Sequence, residues 1–234
     1  MSTTHVNYEQ DGTVAVLTMD DGKANALSFP MMDALDEALN RGEREASAVV
    51  LMGRAGRFSA GFDLREMAAG LDRARALVSR GAEFLLRLYQ LPVPLVIGCT
   101  GHALAAGALI LLTGDVRFGI EGPFKIGLNE VQIGMPVPIL AMELARHRLE
   151  PRHLVEATLF ATTVDPKDAA VWGYLDRLVA AETLRTNAVT EATRLGTLPR
   201  TAFEKTKLAL RERTIQYIRD TLAMDMARLT PPQG

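Results

Sequence analysis

The sequence predicts an α/β fold followed by a helical C-terminal region. Three observations predict it. Short apolar runs alternate with helical patterns through about residue 137. The strand candidates, such as "SAVVLMG" and "PLVIGCT", are near-continuous apolar runs rather than strict alternations, which marks strands buried on both faces and paired mainly in parallel. Beyond residue 137 strand signals nearly vanish and helical patterns fill the chain.

The elements follow in order. "HVNYEQ" and "TVAVLTM" are divided by Asp11-Gly12 and read as a hairpin or a pair of edge strands. Ser28 caps the first helix, Pro30 stands in its first turn, and Met32, Leu35 and Leu39 share one face. "SAVVLMG" is a buried strand, "RAGRFSAGFDL" a loop, and Leu71 to about Gln90 a long helix. "PLVIGCT" is the next strand, "AAGALILL" the next helix, and "DVRFGI" a strand again. Helices are expected over 137–148, 151–162, 166–172, 181–196 and 200–229, with breaks at Val164-Asp165-Pro166 and Thr197-Leu198-Pro199. "RLVA" at 177–180 offers one last short strand. In the terminal helix, Phe203, Leu208, Leu210, Ile215, Ile218 and Leu222 give a broad apolar face, open either to its own core or to another subunit.

Composition narrows the function classes. A chain of 234 residues suits one large domain or one domain with an appendage, and 48% hydrophobic with 23% charged residues is ordinary for a globular protein. A net charge of −2 without a basic run predicts no nucleic-acid partner. A single cysteine, Cys99, cannot form an internal disulfide and reads as a core residue. The opening "MSTTHVNYEQDG" has neither a charged n-region nor an apolar h-region, so a cytoplasmic protein is expected. Residues 88–114 carry no formal charge and are long enough to span a bilayer, but Pro92, Pro94, Gly98, Gly101, His102 and Gly107 punctuate them. They read as a strand, a turn and a buried helix, so no membrane partner is expected. His147 and His153 lack acidic partners at ligand spacing, so no metal site is expected.

Two glycine-rich turns carry the candidate chemistry. In "GRFSAGFDLREM", Gly56 and Gly61 bracket a turn, the small residues Ser59 and Ala60 let a ligand approach the backbone, and Asp63 stands where it would cap the next helix. In "GHALAAGALILL", Ala105, Ala106 and Gly107 expose the first N–H groups of an apolar helix. Each turn alone reads equally as ordinary helix capping or close packing. Together they could offer one N–H each to a single developing oxyanion. The third feature is "IGLNEVQIG", where Glu130 is the only charged residue between Lys125 and Glu143. It is either a loop carboxylate facing water or a base kept away from other charges.

Taken in order, "KANALS" at 23–28, "FSAGFDLREM" at 58–67, "GHALAAGALILLTGDVRFG" at 101–119 and "IGLNEVQIGMPVP" at 126–138 resemble the motifs of the enoyl-CoA hydratase/isomerase (crotonase) family. The resemblance covers roughly residues 5–220. It implies a spiral of ββα units, with an acyl-CoA site in residues 1–195 and a C-terminal helical region, 196–234, that covers the pocket and joins subunits. It implies a homotrimer or dimer of trimers, a coenzyme A thioester as substrate, and no permanently bound cofactor. The oxyanion donors would be the N–H groups of Phe62 and Ala106, the latter at a place where the family usually has glycine. Ala24, Ala26, Ala60, Asp63, Leu64 and Ala105 would contact the thioester, and Lys23, Arg54 and Arg57 are candidates for its phosphates.

One departure sharpens the reading. Hydratases of this family carry two glutamates. At the first of those positions this sequence has Leu109, followed by Ile110, Leu111 and Leu112; at the second it has Glu130. An apolar first position with "IGLNE" at the second resembles the Δ3,Δ2-enoyl-CoA isomerases, in which one carboxylate moves one proton. Hydratase or other crotonase-type thioester chemistry, and a non-catalytic acyl-CoA-binding role, stand as alternatives. Asp63, Glu66 and His102 lie close enough in sequence to the two turns to assist as acids or as pocket wall.

Overall fold

The computed structural model describes residues 5–230. Nine strands, β1 (Val6–Asp11), β2 (Val14–Met19), β3 (Ala48–Gly53), β4 (Gly56–Ser59), β5 (Leu95–Cys99), β6 (Gly101–Leu104), β7 (Val116–Ile120), β8 (Ile126–Gly127) and β9 (Arg177–Val179), build two sheets. The larger sheet has the order β1-β2-β3-β5-β7-β9, and the smaller has the order β4-β6-β8. Among the pairings of these nine strands, β1–β2 is antiparallel and the rest are parallel. After the β1–β2 hairpin, the pairs β3/β4, β5/β6 and β7/β8 each send one strand to each sheet and are followed by helices, the spiral of ββα units implied by the motifs. The corner between β5 and β6 needs glycine, because a Cβ on Gly101 would lie 2.1 Å from the Gly56 carbonyl carbon.

The large sheet is covered on both faces. Ala15, Leu17 and Met19 of β2 face the main core, which includes Leu35 and Leu39 of α1 (Phe29–Glu45) and Leu77 and Leu88 of α3 (Leu71–Tyr89). Val14 and Val16 face a second cluster with Leu184, Ala188 and Ala192 of α8 (Leu184–Gly196). Burial on both faces explains why the strands read as apolar runs. The Ser28 hydroxyl accepts the Met31 N–H at the start of α1, as the capping pattern predicts.

Several boundaries differ from the sequence expectation. The loop expected over "RAGRFSAGFDL" contains β4, whose four residues are too short to show a period. The helix expected over 151–162 is a 3-10 turn and the five-residue α6 (Leu154–Thr158). Its continuation is drawn off to the small sheet, where Val164 exchanges backbone hydrogen bonds with Ile126, and Ala161 turns the chain at a φ of 52°. Between β4 and the C-terminal region lie α2 (Leu64–Ala68), α4 (Ala106–Thr113) and α5 (Ile139–Arg148); α7 (Pro166–Trp172) and α9 (Arg200–Arg228) complete the helices. α9 packs along α3 and α5 of its own chain. Its inner face carries Ile215 and Ile218 together with Lys207 and Arg211, whereas Leu210 faces outward and is 71% exposed.

Candidate active site

The two turns meet. The 24–28 segment runs beside the 59–63 turn, with Ala60 N–H donating to Ala24 O, Leu27 N–H to Gly61 O and Asp63 N–H to Leu27 O. Gly61 has a φ of 91°, and a Cβ there would lie 2.9 Å from Ala105 Cβ and 3.2 Å from Ala106 N. Glycine is therefore required at residue 61 for its conformation and for its space. Ala105, at φ 48° and ψ −123°, holds a sparsely populated conformation that costs about 1–3 kcal/mol. That strain turns the chain sharply from β6 into α4. Gly107 lies against the Ser59 carbonyl, where a Cβ would come within 2.3 Å of the oxygen. Among the hydrogen bonds of the described residues, neither the Phe62 N–H nor the Ala106 N–H donates to the protein. Two free donors thus belong to turns in direct contact.

Sequence reasoning missed the residues that brace this arrangement. Asn25 is fully buried at a φ of 51°, and its side-chain NH2 donates to the carbonyls of Met19, Arg57 and Phe58 at 3.0–3.2 Å. Its Oδ1 accepts the Asp21 N–H, and Asp21 Oδ1 accepts the N–H of Asn25 in return. The Ser59 hydroxyl donates to Asn25 O at 2.7 Å and accepts the Gly61 N–H at 3.3 Å. An amide in "KANALS" flanked by small residues was the available signal, but its partners Arg57, Phe58 and Ser59 lie more than 30 residues away and no local pattern names them.

Ala60, Phe62, Leu64, Leu109, Asn129, Glu130 and Ala105 line one apolar cavity of about 110 Å³, with α3, α5 and α9 supplying the remaining walls. Glu130 is 6% exposed and its Oε2 has no hydrogen-bond partner. Burial pushes its carboxyl up to about 7, against a weaker opposing pull from its own backbone N–H. Asn129 Oδ1 beside it also lacks a partner. Leu109, where a second glutamate would stand in a hydratase, is 3% exposed and faces the same cavity.

The other sequence candidates fall elsewhere. Ala24 and Ala26 flank the 59–63 turn through their backbone and do not line the cavity. Asp63 caps α2 by accepting the Arg65 N–H at 2.8 Å, and Glu66 pairs with Arg73. Neither is a free acid in the cavity. His102 Nδ1 accepts the Lys125 N–H, and burial, with Arg57 and Lys125 nearby, holds the ring below its ordinary pKa and therefore neutral. Arg54 donates to the Lys23 carbonyl and pairs with Asp20, bracing the 20–24 turn. Cys99 is buried in the core and its thiol is pushed up to about 12. No group of three potential ligands for a metal ion occurs among the described residues, and no helix there is long and apolar enough to cross a membrane.

Comparison with known proteins identifies the family. The human protein named enoyl-CoA delta isomerase 1, mitochondrial, is 30% identical over 206 residues, covering 86% of this chain and 68% of its own. A probable enoyl-CoA hydratase of Bacillus subtilis is 31% identical over 134 residues, 56% of this chain and 52% of its own. A crystal structure of an enoyl-CoA hydratase/isomerase family protein from Pseudomonas syringae superposes with a TM-score of 0.94 at 36% identity, over 97% of this chain and 98% of that one. The family model described as enoyl-CoA hydratase/isomerase matches residues 9–230, and the chain belongs to that family.

Proposed function

We propose that this protein is an enoyl-CoA isomerase that shifts a 3,4 double bond to the 2,3 position. The observation that carries the reading is a single free carboxylate in an apolar cavity. Glu130 has an unpartnered oxygen, Leu109 occupies the place of a second acid, and Asp225, the one other carboxylate lining the cavity among the described residues, has both oxygens engaged.

The thioester carbonyl oxygen would accept the N–H groups of Phe62 and Ala106. The α-protons of a thioester are weakly acidic, and in a 3-enoyl thioester the C2 protons are also allylic. Glu130 takes one C2 proton; the C–H electron pair enters the conjugated system and places negative charge on the carbonyl oxygen. The two N–H groups bind this dienolate more tightly than the neutral carbonyl, and a single such donor is typically worth about 3–4 kcal/mol. Protonated Glu130 then returns the proton at C4, the charge leaves the oxygen, and the double bond lies between C2 and C3. Hydration would need a second group to position water, and the apolar wall around Leu109 supplies none. A carboxyl with a pKa near 7 can both accept and return a proton at neutral pH.

The same reading makes the coenzyme A thioester a substrate rather than a resident cofactor. Exposed Val155, Leu159 and Phe160 in and just after α6 offer a further apolar surface for assembly, beside the 196–234 region expected to join a homotrimer or dimer of trimers. The test gives purified protein a 3-enoyl-CoA and follows formation of the conjugated 2-enoyl product. Glu130→Gln is expected to lower kcat by about 10²–10⁴-fold, the range for loss of a general base. Undiminished turnover in that variant, or hydration of a 2-enoyl-CoA faster than isomerisation of the 3-enoyl, would overturn the reading.

A further inference from the structure

The end of α9 lines the cavity, and polar contacts hold that end in place. Leu222, Met226 and Leu229 share the lining with Val78, Ala82 and Leu85 of α3 and with Pro138 and Leu140 at the start of α5. Asp225 stands among them, 8% exposed, on a cavity wall whose other polar residues are Asn129 and Glu130. Its Oδ1 accepts the Ile139 N–H at 3.0 Å and its Oδ2 accepts the Leu140 N–H at 3.3 Å. Those are first-turn N–H groups of α5, and the residue at the N-cap is Pro138, whose side chain cannot accept them. Asp225 is thus an N-cap supplied from another helix, with its charge favourably placed at a helix N-terminus. One residue on, Met226 O accepts Arg75 Nε of α3 at 2.9 Å. The last turns of α9 are therefore fastened to both facing walls.

We propose that Asp225 and Arg75 are positioning residues that set acyl-chain length, by holding α9 across the cavity as its end wall. The inference rests on the isomerase reading and deepens it to a substrate class. A cavity of about 110 Å³ is smaller than the roughly 150 Å³ that takes a benzene-sized ligand. The latched site accordingly suits acyl groups of about four to six carbons. A longer tail must displace Leu222, Met226 and Leu229, and with them the Asp225 and Arg75 contacts. Glu130 and the two N–H donors belong to segments other than α9 and take no part in the latch contacts, so loosening the latch acts on the tail and not on proton transfer.

The experiment compares the intact protein with Asp225→Ala, Asp225→Asn and Arg75→Ala. Dissociation constants are measured for saturated butyryl-, hexanoyl- and dodecanoyl-CoA, alongside kcat/KM for the six- and twelve-carbon 3-enoyl-CoAs. The unmodified protein is expected to favour six carbons over twelve by at least tenfold in both readouts. Asp225→Ala and Arg75→Ala should narrow that ratio by tenfold or more, mainly through tighter binding of the long chain, and Asp225→Asn, which keeps an acceptor, should restore much of the preference. Arg75 is the more exposed residue, so Arg75→Ala decides the matter if Asp225→Ala does not fold. Equal affinity of the unmodified protein for both lengths, or variants that weaken both alike, would overturn the proposal. Saturated thioesters need no turnover: a shifted binding ratio without any isomerisation would sustain the latch and sink the isomerase reading.

Discussion

Two acids, the half-buried Asp115 and the buried Glu130, illustrate the difference between a charge that builds the fold and one that is free to react. Asp115, before β7, is surrounded by donors. Its Oδ2 accepts the Leu95 N–H and Lys207 Nζ, each at 2.8 Å, and its Oδ1 accepts Arg211 Nη2 at 2.9 Å. Arg211 also donates to the Tyr89 carbonyl and lies 4.3 Å from the centre of the Tyr89 ring. Glu130 is more deeply buried, in a wall rich in leucine, methionine and alanine, with one oxygen unpartnered. Asp176 shows that burial alone does not decide the outcome. Burial pushes its carboxyl up, but the Arg117 guanidinium and N–H outweigh that and hold it below the ordinary range. Glu130 has no such partner and is pushed up to about 7.

The strongest way to break the comparison is to remove the saturated acid. Asp115→Ala leaves Lys207 and Arg211, 6% and 3% exposed, without their shared counter-charge. Removing one partner of a buried ionic cluster costs about 3–5 kcal/mol. Urea unfolding should show that loss, and a change below about 1 kcal/mol would mean that water reaches the cluster freely.

The opposite sign is expected at Glu130. Its folded pKa lies above the unfolded value, so the folded state binds the proton more tightly. The resulting stability is complete below about pH 4.5 and is lost as pH rises through about 7. Glu130→Gln, which removes the charge and keeps the shape, should therefore stabilise the protein at pH 9 by roughly 3 kcal/mol and change little at pH 4. Thermal unfolding at the two pH values checks this. In the unmodified enzyme kcat/KM should fall on the acid side with a midpoint near 7, because the proton-accepting form is the carboxylate. A midpoint near the ordinary glutamate value would show that Glu130 is solvated.

These two acids also mark how far the sequence could be read. The large sheet was legible because β2, β3, β5 and β7 are buried on both faces and print that burial as apolar runs. The small sheet was not, since β4, β6 and β8 are two to four residues long and show no period. Glu130 could be singled out because its isolation is a local property of the chain. Ala105 and Ala106 could be singled out because small residues announce close backbone approach, whereas Phe62 was named only through the resemblance to the family. Asp115 with Lys207, and Asp225 with the start of α5, pair across about 90 residues, and no spacing rule joins them. The terminal helix pattern misled for the same reason: its inner face carries Lys207, Arg211 and Asp225, which composition alone assigns to water.

The smallest expected effect tests whether a buried hydroxyl aims the oxyanion donors. Ser59 is fully buried; its hydroxyl donates to Asn25 O and accepts the Gly61 N–H, one peptide before the Phe62 donor. Gly61 O is fixed by Leu27 N–H, so the 61–62 peptide is held from both sides. Ser59→Ala removes the hydroxyl and leaves the close fit of Gly107 intact, because that contact is to the backbone carbonyl and Cβ of residue 59. Stability should drop by about 1 kcal/mol, the net worth of one hydrogen bond. If the hydroxyl also aims the Phe62 N–H, kcat should fall about tenfold with KM nearly unchanged, since an aimed donor acts chiefly on the charge that develops in the transition state. A fall in melting temperature with kcat untouched would place Ser59 with Asp115, as a group that builds the fold without tuning the chemistry.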